Sequence, residues 1–369
     1  MSVAINGTNG ITYNDGSLQP SAPVGRNLII NGDMAIDQRN AGASATTTSS
    51  AYMVDRFQLY ASTVSNAQTY QQVTDAPAGF NKSLKITNSS TAQAAGSAAL
   101  YTPRQRIEGY NTAHLNWGTS DAKTVTVSFW VKASVTGTYP FAINNGSFDR
   151  SFVSNYTISS ANTWEYKTVI VAGDTSGTWN VDNTSGMVVM FSLDTNSSYE
   201  TSTVDAWHTG SFRAISSNVH FLANASATWQ ITGVQIEANT TATPFEHLQY
   251  GQQLALCQRY LQSSWSQGSA IGSAVSITTN STQQSWGSNN AGIAGQAFLL
   301  PVTMRTSPTL VVYDMALNVG KVTTLGNGAA QINNVAANNS ATTTNMFYVR
   351  MYANSKVGIA FAHTLTAEL

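Results

Sequence analysis

The sequence predicts an all-β chain, a β-sandwich followed by a connector helix and a smaller C-terminal β-sandwich, and three observations carry that expectation. Runs such as Thr124-Val125-Thr126-Val127-Ser128-Phe129-Trp130-Val131 alternate in period two and then turn apolar on both faces, as a strand does on entering a sandwich core. Gly/Asn/Ser clusters at 144–147, 173–177 and 194–198 punctuate these runs with turns, and no helical repeats intervene, which argues against a parallel α/β sheet. Charged residues make up 9% of the 369 positions, against about 25% in an ordinary soluble domain. Hydroxyls and amides must therefore wet the surface, in runs such as 45–50 and 338–344.

Residues 1–25 are rich in turn formers, with Asn6-Gly7, Asn14-Asp15-Gly16, Pro20 and Pro23, and hold only a few apolar side chains. They are expected to form an arm that needs a partner surface to become ordered. From 26 to 248 the pattern is strand, turn, strand, with further runs at Lys167 to Ala172, Met187 to Phe191 and Trp229 to Ile236. A helix is expected over Tyr250 to Gln262, within a connector at 249–263, because Tyr250, Leu254, Cys257 and Leu261 share one face at helical spacing. The second β region, 264–369, has strands at Ala297 to Val302, Thr309 to Tyr313, Met346 to Tyr352 and Val357 to His363. Pro301 and Pro308 belong at strand edges or ends, because proline has no N–H to give a ladder.

Hydrophobic residues at 42% and aromatics at 10% are enough to build cores. A net charge of −1, from 17 Lys+Arg and 18 Asp+Glu, supplies no cationic field for nucleic acid or anionic membrane, and neither is expected as a partner. No apolar run reaches the ~18 residues of a membrane span, and residues 1–10 do not read as a secretory signal. About ten Asn-x-Ser/Thr triplets are the chance product of this composition rather than glycosylation sites. One cysteine, Cys257, excludes an intrachain disulfide framework and is expected as a small buried hydrophobe on the helix.

Catalytic motifs are absent: no phosphate loop, no H-E-x-x-H, no C-x-x-C, no nucleophile elbow, and five dispersed histidines. Paired carboxylates could still meet in space for glycoside hydrolysis. Asp33, Asp37, Asp55, Glu108, Glu237 and Glu246 are the candidates, each with a structural role as the favoured reading. No catalytic residue and no cofactor is expected. The tryptophans are a stronger signal, because an aromatic face offers a sugar large contact area at low conformational cost. Trp130 and Trp229 lie inside strands and are expected in the core. Trp117, Trp179, Trp207 and Trp286 sit in turn-like contexts and are the glycan-binding candidates.

Three blocks resemble a known family. Asn27-Leu28-Ile29-Ile30-Asn31-Gly32-Asp33-Met34-Ala35-Ile36-Asp37-Gln38-Arg39, with Tyr52-Met53-Val54-Asp55-Arg56-Phe57, resembles the opening of a jelly-roll domain of tailed-bacteriophage tail fibres. Gly233-Val234-Gln235-Ile236-Glu237, Thr243-Pro244-Phe245-Glu246 and Leu254-Ala255-Leu256-Cys257-Gln258-Arg259-Tyr260 look like its closing strand and connector. Leu300-Pro301-Val302-Thr303-Met304-Arg305-Thr306-Ser307-Pro308-Thr309 and the final Thr366-Ala367-Glu368-Leu369 are similar to the C-terminal β-domain of such fibres.

The resemblance implies a non-enzymatic virion appendage, homotrimeric, joined to other virion proteins through the arm and recognising a host cell-surface polysaccharide. A purely structural virion component, either capsid decoration or fibre connector, is the alternative. A polysaccharide-degrading tailspike is a third, disfavoured because the short repeats of a β-helix are missing. The jelly roll is also similar to carbohydrate-binding modules that hold a structural calcium. Asp33 and Glu237 match those ligand places loosely, while Gly233 stands where an acid is common.

Overall fold

Alternating β-branched and aromatic residues bury one face of each strand, and two antiparallel sheets close over that face. The computed structural model describes residues 4–6, 10–12, 18–19, 25–276, 279, 281–285, 292–326, 332–336, 338–353 and 357–369. One sheet runs in the order Glu165–Val171, Val125–Ala133, Thr228–Glu237, Ser83–Thr87, Gln68–Val73, Ala45–Thr47. The other runs Ala206–Thr209, Arg150–Ile158, Gly137–Asn145, Ser185–Met190, Leu100–Glu108, Phe57–Ser62, Ala51–Val54, with Asp194–Thr195 beside Leu100–Glu108. Sequence neighbours often lie in opposite sheets, giving the jelly-roll β-sandwich. Between the sheets lie Val127, Phe129, Val131, Phe141, Ile143, Phe191, Trp229, Ile231 and Ile236. In the arm, Ala4–Asn6, Gly10–Thr12 and Leu18–Gln19 form a small antiparallel sheet of their own.

The opening Asn-Gly pair locks the sandwich shut. Asn31, with φ at 62°, is fully buried. Its amide donates to the carbonyls of Ile36 (2.8 Å) and Asp55 (2.9 Å) and accepts from Ile36 N–H (2.9 Å). At Gly32 an added Cβ would stand 2.1 Å from the carbonyl oxygen of Val234, so only glycine lets the opening segment reach the closing strand. Gly233, φ 62°, sits at a bulge opposite Phe129, where the pairing register with Val125–Ala133 shifts. A Cβ there would meet the Phe80 ring at 2.6 Å. The missing acid at 233 thus has a steric cause.

The connector helix is Tyr250–Gln258, shorter than the spacing predicts. Leu261, expected on its apolar face, instead starts the strand Leu261–Ser263, which pairs with Thr364 to Thr366. Backbone pairing to the last strand outcompetes another helical turn. Tyr250 is correspondingly exposed, while Cys257 is buried with Ile30, Ile36 and Tyr260. Beyond it, Val357–Thr366 is the spine of a second, smaller β-sandwich, paired along its length with Leu261–Ser263, Thr282–Ser285, Thr309–Tyr313 and Lys321–Gly326. Gly292–Leu299, Met346–Ala353 and Asn338–Thr342 form the facing sheet, over a core containing Met304, Val312, Phe347, Phe361 and Leu365. The strand expected at Ala297 to Val302 ends at Leu299, two residues before Pro301, and Pro308 immediately precedes its strand. Among the described residues no helix is long and apolar enough to cross a membrane.

A buried polar knot joins the two cores. The Arg56 guanidinium lies over the Tyr260 ring, 3.4 Å from its centroid, and pairs with Glu368. Arg39 adds a second contact to Glu368 at 2.9 Å. Arg259 and Glu108 form a two-pronged pair at 3.0 and 2.8 Å. Arg305 donates to the carbonyls of Asn183, Ala367 and Glu368.

The Arg56 side chain is 1% exposed, so Glu368→Ala would strand a buried cation. A loss of about 3–5 kcal/mol is expected in chemical denaturation, largely recovered by Arg56→Met combined with Glu368→Met. Burial raises the Asp55 carboxyl to about 6, against the opposing pull of Arg39 and Gln38. An unfolded aspartate titrates near ~4, so Asp55 contributes stability below about pH 4 that is lost as pH rises through about 6. The melting-temperature advantage of wild type over Asp55→Asn should therefore grow as pH falls from about 7 to about 5. A flat or shrinking difference would contradict this sign.

Candidate functional site

Pleating sends residues 102, 104 and 106 of Leu100–Glu108 away from the sandwich core, on the outer face of the larger sheet. The cross-strand register aligns Ser151, Asn144, Val188 and Arg106 in one row. The next row holds Val153, Ala142, Met190, Arg104, Gln58 and Tyr52. The segment following Asp194–Thr195 folds back over this face and brings Arg213, whose N–H donates to the carbonyl of Tyr199 (2.8 Å). Ala142, Val153, Val188 and Met190 form a small apolar floor, with Phe148, Val204 and Phe212 packed on it.

Three arginines converge here, and among the described residues none of them pairs with a carboxylate. Arg106 and Arg213 each place their guanidinium carbon 5.2 Å from the centroid of the same Phe148 ring. Arg213 also lies over Tyr199 at 4.7 Å, and Arg104 over Tyr60 at 4.0 Å. Arg104 Nε donates to Gln58 Oε1 (2.8 Å) and one Arg213 nitrogen to Ser211 Oγ (3.0 Å). Arg106 Nε and Arg213 Nε and Nη1 are buried without an acceptor among the described residues. Burial, followed by the Arg106 and Arg213 charges, pulls the Arg104 guanidinium down to about 9. Burial lowers Arg106 and Arg213 too. All three remain cations near neutral pH.

Beside them Asn144 is fully buried, and neither its Oδ1 nor its Nδ2 has a hydrogen-bond partner among the described residues. Leaving such groups unsatisfied costs about 1–3 kcal/mol, and a bound ligand would relieve it. The half-buried rings of Tyr52, Tyr60, Phe148 and Tyr199 frame the place. Cations stacked on rings and an amide unpaired among the described residues are thus gathered on one sheet face.

Three of the sequence-predicted tryptophans gather at one end of the sandwich. Trp117, Trp179 and Trp207 meet edge to face, with centroids 4.7, 5.3 and 5.5 Å apart. Each indole N–H donates to a backbone carbonyl: Trp117 to Lys123, Trp179 to Ser176 and Trp207 to Ala172. Trp117 and Trp179 are buried, not exposed as expected, because the three rings staple the loops at one end of the sandwich to one another. Rims of Trp117 and Trp179 do line a pocket of 150 Å³ with Asn116, Asn180 and Val181. Trp286 lies outside the described residues. Trp229 is in the core as expected, but Trp130 is half-buried on the outside of the smaller sheet, against Tyr166 at 5.3 Å.

The six candidate carboxylates are occupied. Asp37 accepts from the N–H groups of Asn40 and Gly42, Asp55 from Gln38, and Glu246 from Gly25 and Asn27. Glu108 holds Arg259. Asp33 accepts a long bond from Ala35 N–H (3.4 Å), and burial raises its pKa. Glu237 accepts from Thr243 N–H (2.8 Å), Thr243 Oγ1 (2.8 Å) and Gln235 Nε2 (3.0 Å), with Arg26 3.9 Å away. That donor shell and the adjacent cation do not fit Glu237 as a calcium ligand alongside Asp33, since calcium takes six to eight oxygens. Glu237 instead fastens the segment after the closing strand. Among the described residues no three His, Cys, Asp or Glu side chains cluster as metal ligands would.

No protein-family model matches the chain, and no curated protein is similar to it in sequence. Solved structures align with parts of it. The enzymatically active domain of tailspike protein 4 of bacteriophage CBA120 aligns over 58% of this chain at 12% identity and TM-score 0.30. The chain spans 22% of that protein's length. The family 11 carbohydrate-binding module of a Clostridium thermocellum cellulosomal cellulase aligns over 58% of this chain and 96% of its own, at 12% identity and TM-score 0.28. A xylan-binding domain from Paenibacillus barcinonensis aligns over 55% and 99%, at 10% identity and TM-score 0.26.

Trp117→Ala is expected to destabilise the fold by about 3–5 kcal/mol in denaturant titration, the cost of emptying a packed indole site. Any glycan binding by the surviving folded fraction should be unchanged, and loss of binding at full stability would return the tryptophans to candidacy.

Proposed function

We propose that this chain is a non-cleaving, glycan-recognising appendage protein of a virus particle, and that its ligand lies on the outer face of the larger sheet. The observation that carries the reading is Asn144, buried and without a hydrogen-bond partner among the described residues, in the strand row that also carries Arg106, on the face where Arg104 and Arg213 likewise form no ion pair with a described residue. Natural folds rarely leave both polar atoms of a buried amide unpaired, and such an exception asks for an explanation, of which a bound ligand is one. Non-cleavage is supported by the carboxylates: five of the six candidates accept short bonds from the backbone or an arginine, and Asp33 accepts one long bond from Ala35 N–H. The virion setting is supported by the three sequence blocks resembling tail fibres. Assembly as a homotrimer, with residues 1–25 as the attachment arm and the boundaries at 248 and 263, belongs to the same proposal.

The test is retention of the purified chain on immobilised bacterial surface polysaccharides, with the size of the polysaccharide followed over time. Binding without shortening is expected, at a particle mass of three copies. Asn144→Leu should abolish retention while raising the stability of the free protein, by up to about 1–3 kcal/mol, because two unsatisfied polar atoms disappear. Depolymerisation would overturn the non-enzymatic reading. Undiminished retention by Asn144→Leu would overturn the site.

A further inference from the structure

We infer that the ligand is an anionic glycan, one whose sugar units carry carboxylate or phosphate groups, held by Arg104, Arg106 and Arg213. This rests on the glycan-binding reading of the outer face and adds the charge of the ligand to it. The chain holds ten arginines. Arg26, Arg39, Arg56, Arg150 and Arg259 each face a carboxylate, and Arg305 is saturated by three carbonyls. Arg104, Arg106 and Arg213 form no ion pair with a described residue, although Arg104 and Arg213 are buried and Arg106 partly buried in a chain with 18 acids to 17 bases.

Their grouping is costly for the free protein. Each loses hydration, and they repel one another: Arg104 is disfavoured by both Arg106 and Arg213, and Arg213 by Arg106. The other groups acting on them are the tyrosines at 52, 60 and 199. Ring stacking positions guanidiniums but does not neutralise them. Three desolvated cations left unpaired need an anion, and their planar forks match a carboxylate or phosphate through two parallel N–H bonds. A neutral sugar would use the rings and Asn144 and leave this charge uncompensated.

The orientation is held from below. The second Arg56 nitrogen donates to the carbonyl of Arg106 (2.6 Å), tying the strand that carries two of the three arginines to the polar knot between the sandwiches. Tyr52, which touches the carbonyl of Leu369 (3.3 Å), closes that end of the face.

Binding of the full chain would be measured by calorimetry to polygalacturonate and polysialic acid (carboxylate), a glycerol-phosphate teichoic acid (phosphate), and dextran and galactan (neutral). The expected result is at least tenfold tighter binding to one of the charged classes, weakened by added salt, with the two charged arms assigning the group. Arg106→Gln and Arg213→Gln should each weaken that binding tenfold or more. Each substitution relieves repulsion but also removes a ring contact to Phe148, so binding is compared at a temperature where every variant is fully folded. Equal or tighter binding to dextran or galactan overturns the inference and leaves the glycan reading standing. Binding to none of the five overturns both, whereas a charged-glycan preference that survives both substitutions overturns the assignment to these arginines and leaves the glycan reading standing.

Discussion

Glu368 reaches back across 312 residues to a guanidinium that has almost no access to water. A cation buried this deeply must be neutralised, and a stacked tyrosine ring alone does not suffice. The position of the C-terminal sandwich is therefore dictated by where Arg56 can find its carboxylate. Arg39, Asp55 and Gln38 complete the same network, and Gln38 also donates to the carbonyl of Leu261, where the chain enters the second sandwich. Through its other nitrogen Arg56 holds the backbone of Arg106. One ion pair thus links the opening loop, the last residues and the strand that presents the candidate site.

Against this background the outer face stands out by contrast in satisfaction. In a chain so poor in charge, most of the described acids accept from backbone N–H groups or hold an arginine. Asn31 shows what a buried amide does when it serves the fold: it makes three short bonds. Asn144, equally buried, makes none with any described residue. The same opposition separates Arg56 from Arg106 and Arg213. The junction holds its guanidiniums in ion pairs, while the outer face holds three with no ion pair to a described residue.

The strands were legible because period-two alternation is a local property: Val125–Ala133, Thr228–Glu237 and Thr309–Tyr313 fall where the pattern places them. The helix end was not, because Leu261 is drawn into a ladder with Leu365 and Thr366, more than a hundred residues away. The burial of Trp117 and Trp179 was not legible for a related reason. Gly, Asn and Ser around Trp117 and Trp179 signal turns, but whether a turn ring points to water or to two other rings depends on which loops meet. Arg104-Gln105-Arg106 did carry a readable signal, two cations at period two in a chain with few charges. What could not be read was the absence of any acid opposite them.

Composition and alternation alone determined that this is an all-β protein with an amide- and hydroxyl-clad surface, two β regions and no catalytic signature, since propensity and burial periodicity are encoded residue by residue. Only the tertiary structure decided which polar groups are satisfied and which are left waiting. Pairing is a matter of distance between residues far apart in the chain, and no local pattern records it.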